Sequence, residues 1–333
     1  MTTVRFDVLG IGNAIFDVLA HIEDDYLVKE ELIKGSMQLI DADEAERLYS
    51  HMGPALRVSG GCAGNTVSGV ASFGGKAAFI GKVAADTLGE AYSHDMRGFG
   101  VHFDTAPLQD GAPTARSMIL ITPDGERTMN TYLGACQNLT VDDIDEAVVS
   151  ASLITYLEGY LWDPLEAKDA FRKAAKIAHD AGRRVALTLS DSFCVDRFRD
   201  EFLDLVRTGA VDILFANEHE LRALYQTSDM NSAVNAVRED AALAVVTLGA
   251  EGSLTATREE THHIAAAPVE NIEDLTGAGD LYASGFLHGL AHDADLVTCA
   301  RLGGLAAAEV ISHVGARPQT SLKENAEQSG IVL

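Results

Sequence analysis

Asp274-Leu275-Thr276-Gly277-Ala278-Gly279-Asp280 opens an apolar helix near the end of this 333-residue chain and is its most informative stretch. The small residues Gly277, Ala278 and Gly279 leave backbone N–H groups uncovered at a helix start, where unpaired donors and the helix dipole favour an anion. Asp280 falls in the first turn, and a carboxylate beside an anion site can take a proton from an attacking hydroxyl. In isolation, the stretch is equally compatible with an ordinary capped helix.

The second half of the chain alternates predicted strands with predicted helices. Strands are expected at 153–157, 184–189, 211–215 and 243–248, and helices such as 142–149, 164–181 and 197–207 lie before or between them. This alternation predicts an α/β fold with a mostly parallel sheet that helices cover on both faces.

The stretch from Val101 to Leu133 has a different pattern. Three β-like runs, 101–103, 115–121 and 127–132, occur there, and a Thr-Pro-Asp-Gly turn at 122–125 joins the last two into a hairpin. The region therefore looks like an addition to the α/β repeat rather than a part of it.

Charge and composition exclude several classes of protein. Fifty acidic residues against 25 basic ones give a formal net charge of -25, which repels nucleic acid and anionic membranes. The four cysteines form no CxxC pair, so neither a zinc site nor a redox motif is expected. The sequence also shows no signal-peptide pattern and no uncharged apolar run of 18 residues. These features predict a cytoplasmic protein.

Two glycine motifs in the first quarter of the chain suggest a hydroxyl-rich ligand. In Ser59-Gly60-Gly61-Cys62-Ala63-Gly64-Asn65, adjacent glycines allow a ligand to approach the backbone, and the Asn65 amide can both donate and accept. In Gly12-Asn13-Ala14-Ile15-Phe16-Asp17, a carboxylate lies among apolar residues, where it needs polar partners. Tight packing or a structural hydrogen-bond network would explain both motifs as well. A dinucleotide site at Gly10–Ile15 is not expected, because the third glycine of that fingerprint is missing.

Two further motifs follow predicted strands. Asn217 and Glu220 begin a helix after the run 211–215, at the edge of the sheet where open α/β folds bind ligands. Their oxygens suit Mg²⁺ held partly through water, but the same spacing is that of a simple capping box. Thr247 lies at the end of the run 243–248, and Gly249 and Gly252 follow it, where the glycines either let the chain pass a nucleotide base or form an ordinary turn.

In this order, the motifs GNxxxD, GGxxxN, NxxE, TLGxxG and TGAGD resemble those of the ribokinase-like (PfkB) family of carbohydrate and nucleoside kinases. The resemblance extends from about Asp7 to Pro318, and TGAGD is its most specific part. It implies a ribokinase-like three-layer α/β/α core, with residues 1–333 forming a single kinase unit. The segments 13–41 and 101–135 would form a small β-rich lid over the acceptor, and closure of the lid would exclude water.

The resemblance also implies roles for matched residues. Asp280 would be the general base, and Gly277, Ala278 and Gly279 would form the anion hole. ATP would contact Asn217, Thr247, Gly249 and Gly252, with Mg²⁺ near Glu220, through water. In many members the segment matching His313–Pro318 helps to hold a monovalent cation such as K⁺ through backbone carbonyls. The acceptor would be bound by Asn13, Asp17, Gly60, Gly61, Asn65, Arg127 and Phe193.

Within the family, the sequence is most similar to the adenosine kinases. Three segments carry this similarity: Gly12-Asn13 followed by Asp17, the run Val211 to Phe215 before Asn217, and Thr188 to Phe193. This similarity implies purine salvage by transfer of phosphate from ATP to the 5′-hydroxyl of adenosine. Ile15, Phe16, Tyr160 and Phe193 would build an apolar slot for the purine, and Arg127 would reach the phosphate. A sugar kinase acting on ribose, fructose or a related sugar is the alternative. A non-catalytic nucleotide-binding member would be expected to lack Asp280 or the glycines before it. A monomer or a homodimer is expected.

Overall fold

The computed structural model describes residues 3–124 and 126–331, which form two β-sheets and the helices around them. Gly125 of the predicted 122–125 turn lies outside the described residues. The strands are β1 Phe6–Ile11, β2 Ile15–His21, β3 Met37–Leu39, β4 Leu56–Ser59, β5 Ala77–Ile80, β6 Ala115–Ile121, β7 Arg127–Tyr132, β8 Ser152–Glu158, β9 Arg184–Thr188, β10 Ile213–Asn217, β11 Leu243–Thr247, β12 Ser253–Ala256 and β13 Thr261–Ile264. The α-helices are α1 Asp24–Lys29, α2 Ala42–His51, α3 Cys62–Ser72, α4 Thr87–Gly98, α5 Glu146–Ser150, α6 Leu165–Asp180, α7 Ser192–Arg207, α8 Glu218–Tyr225, α9 Met230–Asp240, α10 Ala278–Ala291, α11 Leu296–Val310 and α12 Leu322–Gln328.

The main sheet has eight strands in the order β13-β12-β11-β10-β9-β8-β1-β5. Six neighbouring strands of this order, β11, β10, β9, β8, β1 and β5, pair in parallel. At the other edge, β12 and β13 add an antiparallel hairpin. Neighbouring residues of a strand point to opposite faces, and both faces are buried. Leu214 faces a core that includes Phe171 of α6 and Phe202 of α7, whereas Phe215 faces a core that includes Phe286 of α10. The predicted three-layer α/β/α fold is therefore confirmed.

The small sheet has five strands in the order β3-β7-β6-β2-β4. It contains the predicted hairpin of β6 and β7, and it also takes in β4, which lies outside the ranges 13–41 and 101–135. The range 101–135 begins too early, because His102 forms a bridge with Ala78 of the main sheet and Phe103 is buried in the core of the α/β unit. The run 101–103 is apolar enough to look like part of a hairpin, but its partner is a distant strand.

Two predicted helices differ from the structure at their starts. The predicted helix 142–149 is a 3₁₀ turn at Val141–Asp143 followed by the short α5, since Asp145 caps a new helix. Helix α7 begins at Ser192 rather than at 197, because the Asp191 carboxylate accepts a hydrogen bond from the backbone N–H of Cys194. This earlier start fixes Phe193 in the first turn of α7. In the part of the chain that the structure describes, no helix has the length and apolar character needed to cross a membrane.

Candidate active site

A cavity of about 450 Å³ lies between the small sheet and the carboxyl edge of the main sheet. Helix α10 begins at this cavity, and its N-cap is Gly277, which has a left-handed backbone (φ 79°) and no side chain to cap the helix. Only glycine fits there, since a Cβ would lie 2.7 Å from the Cβ of Ala316. Helix α10 thus starts at the cavity without a side-chain cap, as an anion site requires, and the N–H of Ala278 donates to the carbonyl oxygen of Leu275 at 3.3 Å.

One face of the small sheet forms a wall of the cavity. The lining residues of β2, β3, β6 and β7 all have odd numbers, because alternate residues of a strand share a face. They are Ile15, Asp17, Met37, Leu39, Ser117, Ile119, Met129 and Thr131. Phe16, which was predicted to help form a purine slot, points the other way and packs against Tyr92 in the core. The prediction for Phe16 is therefore wrong, whereas Ile15, Tyr160 and Phe193 do line the cavity.

Most of the predicted site residues meet in this cavity, although they come from distant parts of the chain. Gly60, Arg127, Gly249 and Gly252 lie outside its lining. Inside the lining are Asn13, Asp17, Gly61, Asn65, Phe193, Asn217, Glu220, Thr247 and the residues Gly277, Ala278, Gly279 and Asp280.

Asp280 and Asn65 form the contact at the centre of the site. The Asn65 Nδ2 group donates a hydrogen bond of 2.9 Å to Asp280 Oδ2, across 215 positions of sequence. The thiol of Cys62, one turn earlier on α3, lies beside the same carboxylate, and burial raises the pKa of this thiol well above its usual value. Cys62 is therefore a neutral neighbour of Asp280.

The two glycines before α3 leave room for groups of the site. A Cβ on Gly60 would collide with the carboxylate of Asp17, and a Cβ on Gly61 (φ 86°) would collide with the carbonyl oxygen of Asn13. Asp17 lines the cavity and accepts no hydrogen bond from the described residues in the structure. Its carboxylate is thus available to a ligand.

Glu158 is a cavity residue that the sequence interpretation missed. It ends β8, is almost fully buried, and accepts hydrogen bonds from Asn13 Nδ2 (2.8 Å), the Asn13 backbone N–H (3.3 Å) and the Ala63 backbone N–H (2.9 Å). It therefore ties the turn after β1 to the first turn of α3. A polar or charged residue at the carboxyl end of an apolar strand is a signal that the sequence contained, and the same signal identified Asn217.

Asn217 and Glu220 form a complete capping box at the start of α8. Asn217 Oδ1 accepts from the backbone N–H groups of His219 and Glu220, and Glu220 accepts from the N–H of Asn217 (2.9 Å) and from its Nδ2 (2.6 Å). Among the described residues, no group of three or more His, Cys, Asp or Glu side chains could hold a metal ion. These oxygens thus suit a Mg²⁺ that keeps water and phosphate ligands, not one enclosed by protein.

Arg127 reaches the loop before α10 from the small sheet. Its guanidinium pairs with the buried carboxylate of Asp274 and with the Thr276 hydroxyl. Asp274 also accepts from the backbone N–H groups of Thr276 (2.6 Å) and Gly315 (2.9 Å). Arg127 therefore links the small sheet to the residues that shape the anion site.

Phe193 and the segment before it form the opposite side of the cavity. Phe193 is 60% exposed, which excludes core packing, and the guanidinium of Arg197 lies over its ring at 5.4 Å. The Tyr160 hydroxyl donates to Asp191 (3.0 Å), the N-cap of the same helix. An exposed aromatic ring at a cavity wall provides a stacking surface for a flat ligand.

Five carboxylates line this cavity, and burial has the largest effect on the pKa of four of them, Asp17, Glu158, Glu220 and Asp280. Burial raises the pKa of Asp280 to about 6, against the opposing effects of the Asn65 hydrogen bond, the Cys62 thiol and the Arg317 charge. Burial also raises the pKa of Asp17, of Glu158 and of Glu220 to about 7 in each case. A pKa of about 6 leaves most of Asp280 ionised at neutral pH, the state in which a carboxylate can accept a proton.

The arrangement defines a phosphotransferase acting on an alcohol group, and the chain belongs to the PfkB family of carbohydrate kinases. The family model matches residues 35–323. Membership implies ATP as the phosphoryl donor, generally together with Mg²⁺.

Within the family, several similar proteins are named as adenosine kinases. The chain is 26% identical to the adenosine kinase of Saccharomyces cerevisiae over 327 residues, which cover 92% of this chain and 94% of that one. The solved adenosine kinase of Sinorhizobium meliloti is 55% identical, with a TM-score of 0.93 over 98% of this chain and 100% of that one. A solved protein of Rhizobium etli CFN 42, described as a probable sugar kinase, is 52% identical with a TM-score of 0.95, over 99% and 100% of the two chains.

Proposed function

We propose that this protein transfers the γ-phosphoryl group of ATP to the 5′-hydroxyl of adenosine, giving AMP and ADP. Three features support the proposal: the uncapped start of α10, the base Asp280 beside it, and an apolar wall in the same cavity. The similarity to proteins named adenosine kinases agrees with it.

The apolar wall is the observation that carries the choice of adenosine. Met37, Leu39 and Phe193 line the cavity and remain 37%, 51% and 60% exposed. Exposed apolar side chains at a cavity mark a surface that a ligand covers. A free sugar has no apolar ring for such a wall, whereas the purine of a nucleoside has one.

In the proposed reaction, Asp280 takes the proton of the 5′-hydroxyl while the 5′-oxygen attacks the γ-phosphorus. The bond from that phosphorus to the bridging oxygen of ADP breaks, and ADP leaves with the bonding electrons. The N–H groups at Gly277, Ala278 and Gly279 stabilise the negative charge on the transferring group. The proton then passes from Asp280 to solvent.

The acceptor is held by groups that converge beside Asp280. Asp17 and Asn65 are proposed to bind the ribose hydroxyls, with Gly61 giving the sugar access to the backbone and Gly60 making room for the Asp17 carboxylate. Asn13 keeps its orientation through Glu158. Phe193 is proposed to stack on the purine.

ATP is proposed to contact Asn217, Thr247, Gly249 and Gly252, at the ends of β10 and β11. Glu220 would hold Mg²⁺ through water, since its oxygens already serve the capping box. When bound, the metal supplies positive charge to the phosphates. A monovalent cation such as K⁺ near His313–Pro318 stays a prediction.

The small sheet is proposed to act as the lid. The contact of Arg127 with Asp274 and Thr276 would hold the lid in the closed state, next to the proposed anion hole. In the closed state, the lid excludes water that would compete with the acceptor. Arg127 also offers positive charge to the phosphate in an acidic protein.

An acceptor panel tests the choice of substrate: adenosine, inosine, guanosine, ribose and fructose with Mg-ATP. We expect the highest kcat/KM with adenosine. Phe193→Ser should raise the KM for adenosine and leave that for ribose unchanged, because only the purine contacts Phe193. Higher kcat/KM for a free sugar, with no effect of Phe193→Ser, would establish the sugar kinase instead.

A further inference from the structure

Arg317 is a buried cation directly behind the candidate site. Only 9% of the residue is exposed, and its Nη1 and Nη2 atoms find no hydrogen-bond acceptor among the described residues. Its guanidinium lies over the ring of Phe99 at 5.1 Å. Burial of a charge with incomplete pairing is costly, so such a residue needs a compensating role.

One atom of Arg317 does have a partner in the site. Its Nε donates a hydrogen bond of 3.3 Å to Asn65 Oδ1, and Asn65 Nδ2 in turn donates 2.9 Å to Asp280 Oδ2. The three side chains thus form a chain of donors that ends on the proposed base.

The chemistry of these groups fixes the direction of the chain. A guanidinium only donates, so the Asn65 oxygen must face Arg317 and its NH₂ group must face Asp280. The Asp280 carboxylate only accepts, so Arg317 and Asp280 favour the same orientation of the Asn65 amide, and loss of Arg317 removes one of the two contacts that hold it.

The Arg317 charge interacts with acidic groups of two other elements. From β2, Asp17 faces it, and from α4, Asp95 and Tyr92 face it. The Tyr92 hydroxyl donates to the Gly60 carbonyl (3.1 Å). A Cβ on Gly64 would lie 2.6 Å from Tyr92 Oη and 3.4 Å from Arg317 Nη2, so a glycine is needed where α3 passes this pair.

Asp280 otherwise has mainly neutral or acidic neighbours. The Cys62 thiol of α3, Tyr156 and Glu158 of β8, Glu220 of α8 and Asp17 of β2 all interact with it electrostatically. The positive charge of Arg317 lowers the pKa of both Asp280 and Asp17 against burial. Loss of that charge would therefore protonate both carboxylates at a higher pH.

We propose that Arg317 is a positioning residue for phosphoryl transfer: it orients the Asn65 amide toward Asp280 and supplies the positive charge that keeps Asp280 and Asp17 ionised. The inference rests on the proposed function, in which Asp280 is the base and Asp17 binds the acceptor. It adds to the site a residue that does not touch the substrate.

The pH dependence of turnover tests the proposal. In Arg317→Met, the acid limb of kcat should move to higher pH, since kcat reports the base in the ternary complex. A shift of one pH unit would make the loss at pH 5.5 about ten-fold greater than the loss at pH 8.5. The KM for the acceptor should rise most at low pH, where Asp17 becomes protonated. Arg317→Lys keeps the charge and loses the Nε contact, so its acid limb should stay near that of wild type.

Arg238→Met is the matched control. Arg238 joins α9 to the turn after β12 through bonds from Nε to Thr257 O and from Nη2 to Arg258 O, both 2.8 Å, far from the cavity. It should change the melting temperature without moving the acid limb. If Arg317→Met does not fold, Arg317→Gln, which also removes the charge, is measured in the same way.

Equal losses of kcat at every pH in a folded Arg317→Met or Arg317→Gln would overturn the inference, because a purely structural residue has that effect. A wild-type protein with no kinase activity on any acceptor of the panel would instead refute the proposed function. The two failures are therefore distinguishable.

Discussion

Helices α8 and α10 both begin at the cavity with an acidic residue in the first turn, yet their N-termini are built in opposite ways. The start of α8 is closed by its own side chains, since Asn217 and Glu220 satisfy the backbone donors and each other. The start of α10 has Gly277 as its N-cap and no capping side chain. Its carboxylate, Asp280, is instead held from another helix, by Asn65 of α3.

The difference shows that a cap and an anion site are alternative uses of the same backbone groups. At the start of α8, the N–H groups of His219 and Glu220 already donate to Asn217 Oδ1, so they are not open to an anion. The start of α10 has no capping side chain, and a glycine at the N-cap costs the fold only about a few tenths of a kcal/mol relative to a capping residue. A sequence motif at a helix start therefore has to be judged by whether it caps the helix or exposes it.

The largest expected effect comes from replacing the Asp280 carboxylate, and the same change at Glu220, in a separate variant, is the comparison. Asp280→Asn should lower kcat by roughly 10²–10⁴-fold, because general-base catalysis is lost, while ATP still binds. Glu220→Gln should lower kcat far less, since Glu220 is not assigned to proton transfer. Steady-state kinetics and nucleotide binding measure both variants. Near wild-type turnover of a folded Asp280→Asn would exclude Asp280 as the base.

A smaller effect is expected from a single methyl group in the α10 turn. A Cβ on Gly279 meets no atom within 4 Å, so Gly279→Ala should fold as well as wild type and gain up to about 1 kcal/mol of helix propensity. Because the methyl group enters the proposed phosphoryl position, kcat should fall roughly 10²-fold. The melting temperature and kcat are measured on the same sample. Unchanged kcat would place the phosphoryl group elsewhere.

A smaller effect on activity is expected when the capping box of α8 is disrupted. Glu220→Ala removes half of the capping box and should cost about 1 kcal/mol of unfolding free energy. The Mg²⁺ concentration for half-maximal rate should also rise, as the water-mediated ligand is lost. Denaturant unfolding and a Mg²⁺ titration at saturating ATP provide the two values. If only stability changes, α8 has a capping role and no metal role.

The last prediction concerns the pH dependence of stability, and for it the smallest effect on activity is expected. Burial raises the pKa of Glu220 to about 7, so the folded protein binds this proton more tightly than the unfolded chain. The contribution to stability is full below the unfolded pKa of about 4.3 and is lost as pH rises through about 7. The melting temperature of Glu220→Gln relative to wild type should therefore increase from pH 4 to pH 8. A constant difference would show that Glu220 is not desolvated.

Local patterns were sufficient for much of the fold. The alternation of strands and helices from residue 140 onward predicts the parallel part of the main sheet, and Asn217 with Glu220 predicts both the capping box and its position at the sheet edge. The run 101–103 and the side chain of Phe16 were misjudged, since each depends on a partner far away in sequence. Glu158 was missed although it ends an apolar strand, and nothing local identified Arg317.

The sequence by itself determined the order of the motifs, the α/β class and the glycine at the start of α10, because these follow from periodicity and from the steric needs of single residues. Only the tertiary structure decided which carboxylate meets which partner. Asp280 acquires its environment from Asn65, Arg317 and Cys62, which lie up to 218 positions away in the chain. The protonation of a buried group depends on desolvation and nearby charge, and both are properties of the packed molecule.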